Sequence, residues 1–191
     1  MIAIGLVCMI HLNGNSQEIN KLQNKYIIVL DVQQYWTDNA LTKHASEEML
    51  SAINALIEKT IPEKIIYVKT MAGSKVLSIS FKGIHVDTVS AGGFNKNLLV
   101  INDNIFEKKD GDAFTVPELT AFLEQNNAKE IIITGLLADK CVYNTGIGGL
   151  SRNYEIYLIP EAIGGKSVKS KEKAIANLVK KGAKRLKLSD F

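Results

Sequence analysis

The chain has 191 residues, 46% of them hydrophobic and 23% charged, with a formal net charge of +3 at pH 7. These values suit one globular domain large enough for a substantial core. Two cysteines, Cys8 and Cys141, are too few for a disulfide framework. The basic excess, gathered at 166–187 with no aromatic residue interleaved, describes a solvated helix face rather than a nucleic-acid surface.

Residues 1–12 are apolar apart from His11, and Gly14-Asn15-Ser16 offers small residues suited to cleavage before Gln17. Residues 1–16 therefore read as a signal peptide that lacks its basic n-region, too short to span a bilayer, ahead of a single domain over 17–191. On this reading the chain is secreted or periplasmic, and otherwise cytoplasmic. Stable membrane insertion is not expected.

An apolar strand is predicted over 26–31, fit to be buried on both faces and ending in Asp31. A helix follows near 46–59, with Ser46 as its cap and Met49, Ile53, Leu56 and Ile57 as its apolar stripe. Pro62 closes that unit, and a strand over 64–69 comes next. In 75–82, Leu77, Ile79 and Phe81 alternate with Ser78, Ser80 and Lys82, the period of an extra half-buried strand. Then come a strand at 98–101, a polar loop with Lys108 and Lys109, a helix at 117–125 opened by Pro117, and a β-branched strand at 130–134. A helix beginning near Cys141 carries Gly146, Gly148 and Gly149, which permit close packing. A strand at 155–160 precedes a helix at 170–181 with Ile175, Leu178 and Val179 inward and Gly182 at its end. A last short strand covers 186–188. The alternation of strand and helix implies an α/β fold with a mostly parallel sheet covered on both faces. No Gly-x-Gly-x-x-Gly follows the first strand, so dinucleotide binding is not supported and no cofactor is expected.

Chemistry concentrates at three points. Cys141 follows a strand and Gly135 where a helix should start, so helix dipole and unpaired amides favour thiolate. On that reading Cys141 should alkylate quickly near neutral pH. Asp31 ends a buried strand, and Lys108 lies in a polar loop. Thiol, carboxylate and cation together suit acyl transfer.

These segments resemble the isochorismatase-like cysteine hydrolases, which include nicotinamidases and N-carbamoylsarcosine amidase. Asp31-Val32-Gln33 with Trp36, Lys108 followed by Asp112-Ala113-Phe114, and Gly135-Leu-Leu-Ala-Asp139-Lys-Cys141-Val142 occur in that family's order over about 25 to the C-terminus. The resemblance implies a three-layer α/β/α, Rossmann-like sheet with Asp31 and Cys141 at the C-terminal ends of adjacent central strands, where open α/β sheets bind ligands. It implies Cys141 as nucleophile, Asp31 as general acid/base and Lys108 as the cation between them. A cis peptide at Leu136–Leu137 and an oxyanion hole from the backbone of Leu137 and Cys141 also follow from it. Gln33, Trp36 and Phe114 would line the substrate pocket, and a homo-oligomer is the implied state.

One departure concerns metal. Metal-dependent nicotinamidases carry Asp-x-His after the second strand, where this chain reads Tyr67-Val-Lys69-Thr-Met-Ala-Gly73-Ser. His11, His44 and His85 have no ligand spacing with one another, so no metal is expected and nicotinamide is disfavoured as substrate. The segment 73–96 lies where the family varies its pocket, so the substrate does not transfer by resemblance. The leading expectation is hydrolysis of a C–N bond in a small amide or ureido/carbamoyl compound. Vinyl-ether hydrolysis and a non-catalytic binding protein on the same fold are the alternatives.

Overall fold

A computed structural model describes residues 24–71, 73, 75–80, 83–88 and 92–191, the two short runs by backbone alone. The leader reading of 1–16, and the half-buried character read for 75–82, lie outside the described residues and side chains. The first strand, β1, is Lys25–Leu30 and is buried along its whole length. Its alternate residues feed two separate cores. Ile27 and Val29 point to one face, and Ile28 and Leu30 to the other.

The first face is covered by α1, Gln34–Ala40, and α2, Lys43–Glu58. Met49, Ile53, Leu56 and Ile57 are all buried, as the stripe predicts. Each such side chain contributes about 1.5–3 kcal/mol of burial as an upper bound. The cap differs from the prediction. Thr42 caps α2 by accepting from the amide of Ala45, so the helix starts earlier and Ser46 lies buried inside it.

Strand β2, Ile65–Thr70, pairs in parallel with β1, Leu30 opposite Val68. A separate antiparallel pair follows, β3 at Lys75–Ser80 and β4 at Gly83–Thr88. The run at 98–101 is not a strand. The amide of Leu98 donates to the Asn95 carbonyl, and two others are met by side chains, Leu99 by Asn54 Oδ1 and Ile101 by the Tyr67 hydroxyl. The strand is β5, Ile105–Lys108, inside the stretch read as a polar loop. Asn102 and Asn104 both donate to the Ile65 carbonyl, and they dock the chain on β2 just ahead of it.

The other face is covered by α3, Pro117–Gln125, α4, Tyr143–Ser151, and α5, Val168–Lys180. Strand β6, Glu130–Gly135, pairs with β1, and β7, Glu155–Ile163, pairs with β6. β7 runs past Pro160 because the ladder with β6 is irregular there, so no paired amide is missed. In α5, Ile175 and Leu178 are buried, but Val179 is exposed on the outer face. Ser167 caps this helix. The last strand, β8, is Lys184–Arg185 rather than 186–188, and Leu188 opens a short 3-10 turn. The six-stranded sheet is parallel throughout, in the order β5-β2-β1-β6-β7-β8. The chain leaves β1 first toward β2 and later toward β6, so the topological switch point lies between β1 and β6.

Candidate active site

Asp31 follows directly on β1, with its amide donating to the Val68 carbonyl at 2.8 Å and a left-handed φ of +53°. Aspartate tolerates this conformation better than most residues, and it turns the chain out of the strand. Lys108 is the last residue of β5, opposite Thr70 of β2. Cys141 stands in a π-helical turn, Ala138–Val142, between β6 and α4. Gly135 makes that turn accessible. Its φ is +98°, and a Cβ there would fall 2.0 Å from the Leu30 carbonyl oxygen. The peptide between Leu136 and Leu137 is cis.

Three strand ends thus bring the three polar groups together. Lys108 Nζ lies 2.8 Å from Asp31 Oδ2 and donates to Cys141 Sγ at 3.4 Å. Lys108 is only 1% exposed and Asp31 3%, while Lys109 beside it is exposed. Burial alone would push the Lys108 ammonium down, but Asp31 and the Cys141 sulfur outweigh it and the net shift is up.

The thiol behaves differently from the helix-end argument. Burial, and then the charge of Asp31, push Cys141 up to about 12 against the opposing pull of Lys108. The direction is opposite to the one the helix end alone would give.

Thr70 is a member of this group that the sequence reading missed. Its hydroxyl donates to Asp31 Oδ1 at 2.8 Å and accepts from Lys108 Nζ at 3.2 Å. Only the β1–β2–β5 register brings it level with the other two, and nothing in Tyr67-Val-Lys69-Thr70 marks it as polar machinery.

The three residues read as pocket lining are placed as follows. Gln33 is buried, with its amide engaged on backbone. Its Oε1 accepts from the Thr70 amide at 2.9 Å, and its Nε2 donates to the carbonyls of Thr70 and Gly92 at 3.2 and 3.0 Å. Trp36, on α1, packs half-buried against the core of that face, edge-on to Tyr35. Its indole N–H has no acceptor among the described residues. Phe114 is set in the opposite core, stacked on Tyr154 with the Arg152 guanidinium over its ring.

In the turn that carries Cys141, Leu136 donates to the Leu30 carbonyl and Ala138 to that of Gly164. Lys140 and Val142 both donate to the Leu137 carbonyl. The loop after Lys108 is pinned to α4. Thr145 Oγ1 accepts from the Ala113 amide at 3.0 Å, and Asp112 accepts from the Phe114 amide at 2.9 Å. Among the described residues no cluster of three or more His, Cys, Asp or Glu side chains could hold a metal ion. No helix among them is long and apolar enough to cross a membrane.

The fold and this cluster define a three-layer α/β protein with a half-buried thiol beside a buried carboxylate and ammonium at its switch point. The sequence matches the isochorismatase domain over residues 25–190, and the chain belongs to that family. No curated protein matches it at a significant level. Among solved structures it resembles a nicotinamidase/pyrazinamidase from Acinetobacter baumanii, 18% identical with a TM-score of 0.71, covering 88% of this chain and 98% of that one. An isochorismatase from Pseudomonas putida is 16% identical with a TM-score of 0.71, covering 89% and 91%. The MAR1 ribonuclease from Caenorhabditis elegans is 20% identical with a TM-score of 0.63, covering 88% and 79%. At these identities the likeness is one of fold, an isochorismatase-family hydrolase fold.

Proposed function

We propose that the protein is a cysteine-dependent hydrolase of the C–N bond in a small amide or ureido/carbamoyl compound. The observation that carries this reading is the buried Lys108 Nζ, which reaches both Asp31 Oδ2 and the half-buried Cys141 Sγ. A cation that touches both partners stabilises the ion pair formed when the thiol proton moves to the carboxylate.

The steps balance as follows. The Cys141 proton passes to Asp31 as sulfur attacks the carbonyl carbon. The protonated Asp31 then gives that proton to the leaving nitrogen, the C–N bond breaks and a thioester remains. Asp31 takes a proton from water, the oxygen attacks the thioester, and the C–S bond breaks with the proton returning to sulfur. The net reaction is amide plus water to acid plus amine. The raised thiol fits this sequence, because the attacking sulfur then depends on Asp31 as base. The backbone N–H groups of Leu137 and Cys141 serve the developing oxyanion.

The test is release of amine or ammonia from a panel of small amides and carbamoyl compounds, with isochorismate as a separate arm. Cys141→Ser should abolish release. Asp31→Asn should lower it by at least ~10²–10⁴-fold, the usual worth of general acid–base catalysis. If Cys141→Ser keeps near-full rate on a substrate the wild type cleaves, thiol catalysis is excluded. Cleavage of isochorismate alone by both proteins would replace this reading with vinyl-ether hydrolysis.

A further inference from the structure

The two carboxylate oxygens of Asp31 have different surroundings. Oδ1 accepts the Thr70 hydroxyl at 2.8 Å. Oδ2 is ion-paired to Lys108 at 2.8 Å, yet it accepts no aligned hydrogen bond among the described residues. An ammonium has no lone pair, so Lys108 must donate to the Thr70 oxygen across their 3.2 Å contact. The one proton of that hydroxyl is then committed to Oδ1. The direction of every bond in the ring Lys108–Thr70–Asp31 is thereby fixed.

We propose that Thr70 is a positioning residue that assigns the two oxygens of Asp31, holding Oδ1 so that Oδ2 alone exchanges the proton with Cys141 and the substrate. The proton chemistry rests on the amide-hydrolase reading, but the assignment of the oxygens does not. Thr70 is suited to the task in two ways. Its β-branched side chain is stiff at χ1, so the hydroxyl keeps its aim. Its backbone is gripped on both sides by the Gln33 amide, at 2.9 Å on the N–H and 3.2 Å on the carbonyl. Gln33 also holds the Gly92 carbonyl and forms an antiparallel bridge with Phe94, which ties this clamp to the segment 92–94. Gln33 therefore acts on the site through Thr70.

Thr70→Val keeps the shape and drops the hydroxyl, whereas Thr70→Ser keeps the hydroxyl and loosens the rotamer. Both variants keep Lys108 from β5 and Cys141 from the turn after β6, the charged and titratable groups that face Asp31 among the described residues. The experiment records the Asp31 carboxyl carbon of ¹³C-labelled protein by NMR at one fixed pH with no substrate present, beside kcat and KM on an amide that the wild type cleaves. Loss of the donor on Oδ1 should displace the carboxyl resonance in Thr70→Val and lower kcat with KM little changed, and Thr70→Ser should stay with the wild type in both. Thr70→Ala makes the same comparison if Thr70→Val does not fold. A carboxyl resonance in Thr70→Val or Thr70→Ala equal to that of the wild type would overturn the proposal. So would a Thr70→Ser resonance displaced as far as that of Thr70→Val. Because the NMR readout needs no turnover, a failed hydrolysis panel would remove the functional reading and leave the oxygen assignment measurable.

Discussion

Cys141 stands just ahead of a helix, where dipole and free amides pull a thiol toward ionisation, yet burial and the Asp31 charge lift it to about 12. Helix-end arguments read from sequence count only the local field. Burial and a carboxylate from a strand more than a hundred positions away become visible in the fold alone. The sign leads to a prediction that separates base from field. Asp31→Asn should stop hydrolysis but speed alkylation of Cys141 by iodoacetamide at neutral pH, since the charge that raises the thiol is gone. Lys108→Ala should slow alkylation, because its cation opposes that rise. An Asp31→Asn protein that alkylates more slowly than wild type would reverse the electrostatics argued here. The same shift affects stability. The thiol is held up from its ordinary 9.0, so between about 9 and about 12 the unfolded chain is ionised while the folded one keeps its proton. Folding stability from this group is whole below 9 and falls as pH rises through that window. Cys141→Ala should therefore lose less stability than wild type over pH 9–12 in urea titrations, with all other groups common to both. Lys108 is buried against Asp31, and Lys108→Met leaves that carboxylate unpaired. A loss of ~3–5 kcal/mol is expected by urea denaturation. Asp31, Lys108 and Cys141 were legible because each has reactive chemistry and a strand-end or motif context. Thr70 and Gln33 were not legible in these roles, because their contacts come from parallel register and a loop closure that no local pattern encodes.

Helices and strands followed their periodicity where one face is buried. The predicted bounds of α3 match those observed, since Pro117 opens it and Leu119 and Leu123 face the core. Errors arose where polar side chains replace ladder bonds. The apolar run at 98–101 reads as strand by composition, yet Asn54 and the Tyr67 hydroxyl take two of its amides and leave Val100 and Ile101 exposed. β5 was hidden because Glu107 and Lys108 made it look like a loop. Thr42 lies three residues before Ala45 and caps α2, so Thr42→Ala should cost about 1 kcal/mol in thermal unfolding. A second element-scale test concerns α4. A Cβ at Gly148 would fall 2.2 Å from Asp112 Oδ2, inside the loop that follows Lys108. Gly148→Ala should lower stability by about 1–3 kcal/mol through overpacking, and it should also disturb the Thr145–Ala113 bond that pins the loop. A Gly148→Ala protein with unchanged melting would mean that the loop gives way freely.

Across the whole molecule, one parallel sheet separates two apolar cores and carries the reactive groups on its C-terminal edge. The order β5-β2-β1-β6-β7-β8 puts β1 and β6 at the centre, with pairing on both sides. Amides of Ile27–Val29 and Ile131–Ile133 should exchange hydrogen most slowly, and those of the edge strands β5 and β8 fastest. Equal protection of β1 and β8 would contradict a sheet-centred core. The three-layer class was legible from strand–helix alternation, because buried parallel strands read as continuous apolar runs such as 27–30 and 131–133. The strand order was not legible from periodicity, and it came from the resemblance of three motifs in sequence. The strand read over 75–82 is present as β3 at Lys75–Ser80, but its antiparallel partner β4 at Gly83–Thr88 was not read from the sequence.

The most direct measurement of the central claim is the intact mass of the protein quenched in acid during turnover of an amide that it cleaves. The account predicts a population heavier by the acyl group, mapped by peptide mass to Cys141, absent from Cys141→Ser and lost as substrate is exhausted. Turnover with no acyl adduct under any quench, at a rate that Cys141→Ser matches, would contradict covalent catalysis by this thiol.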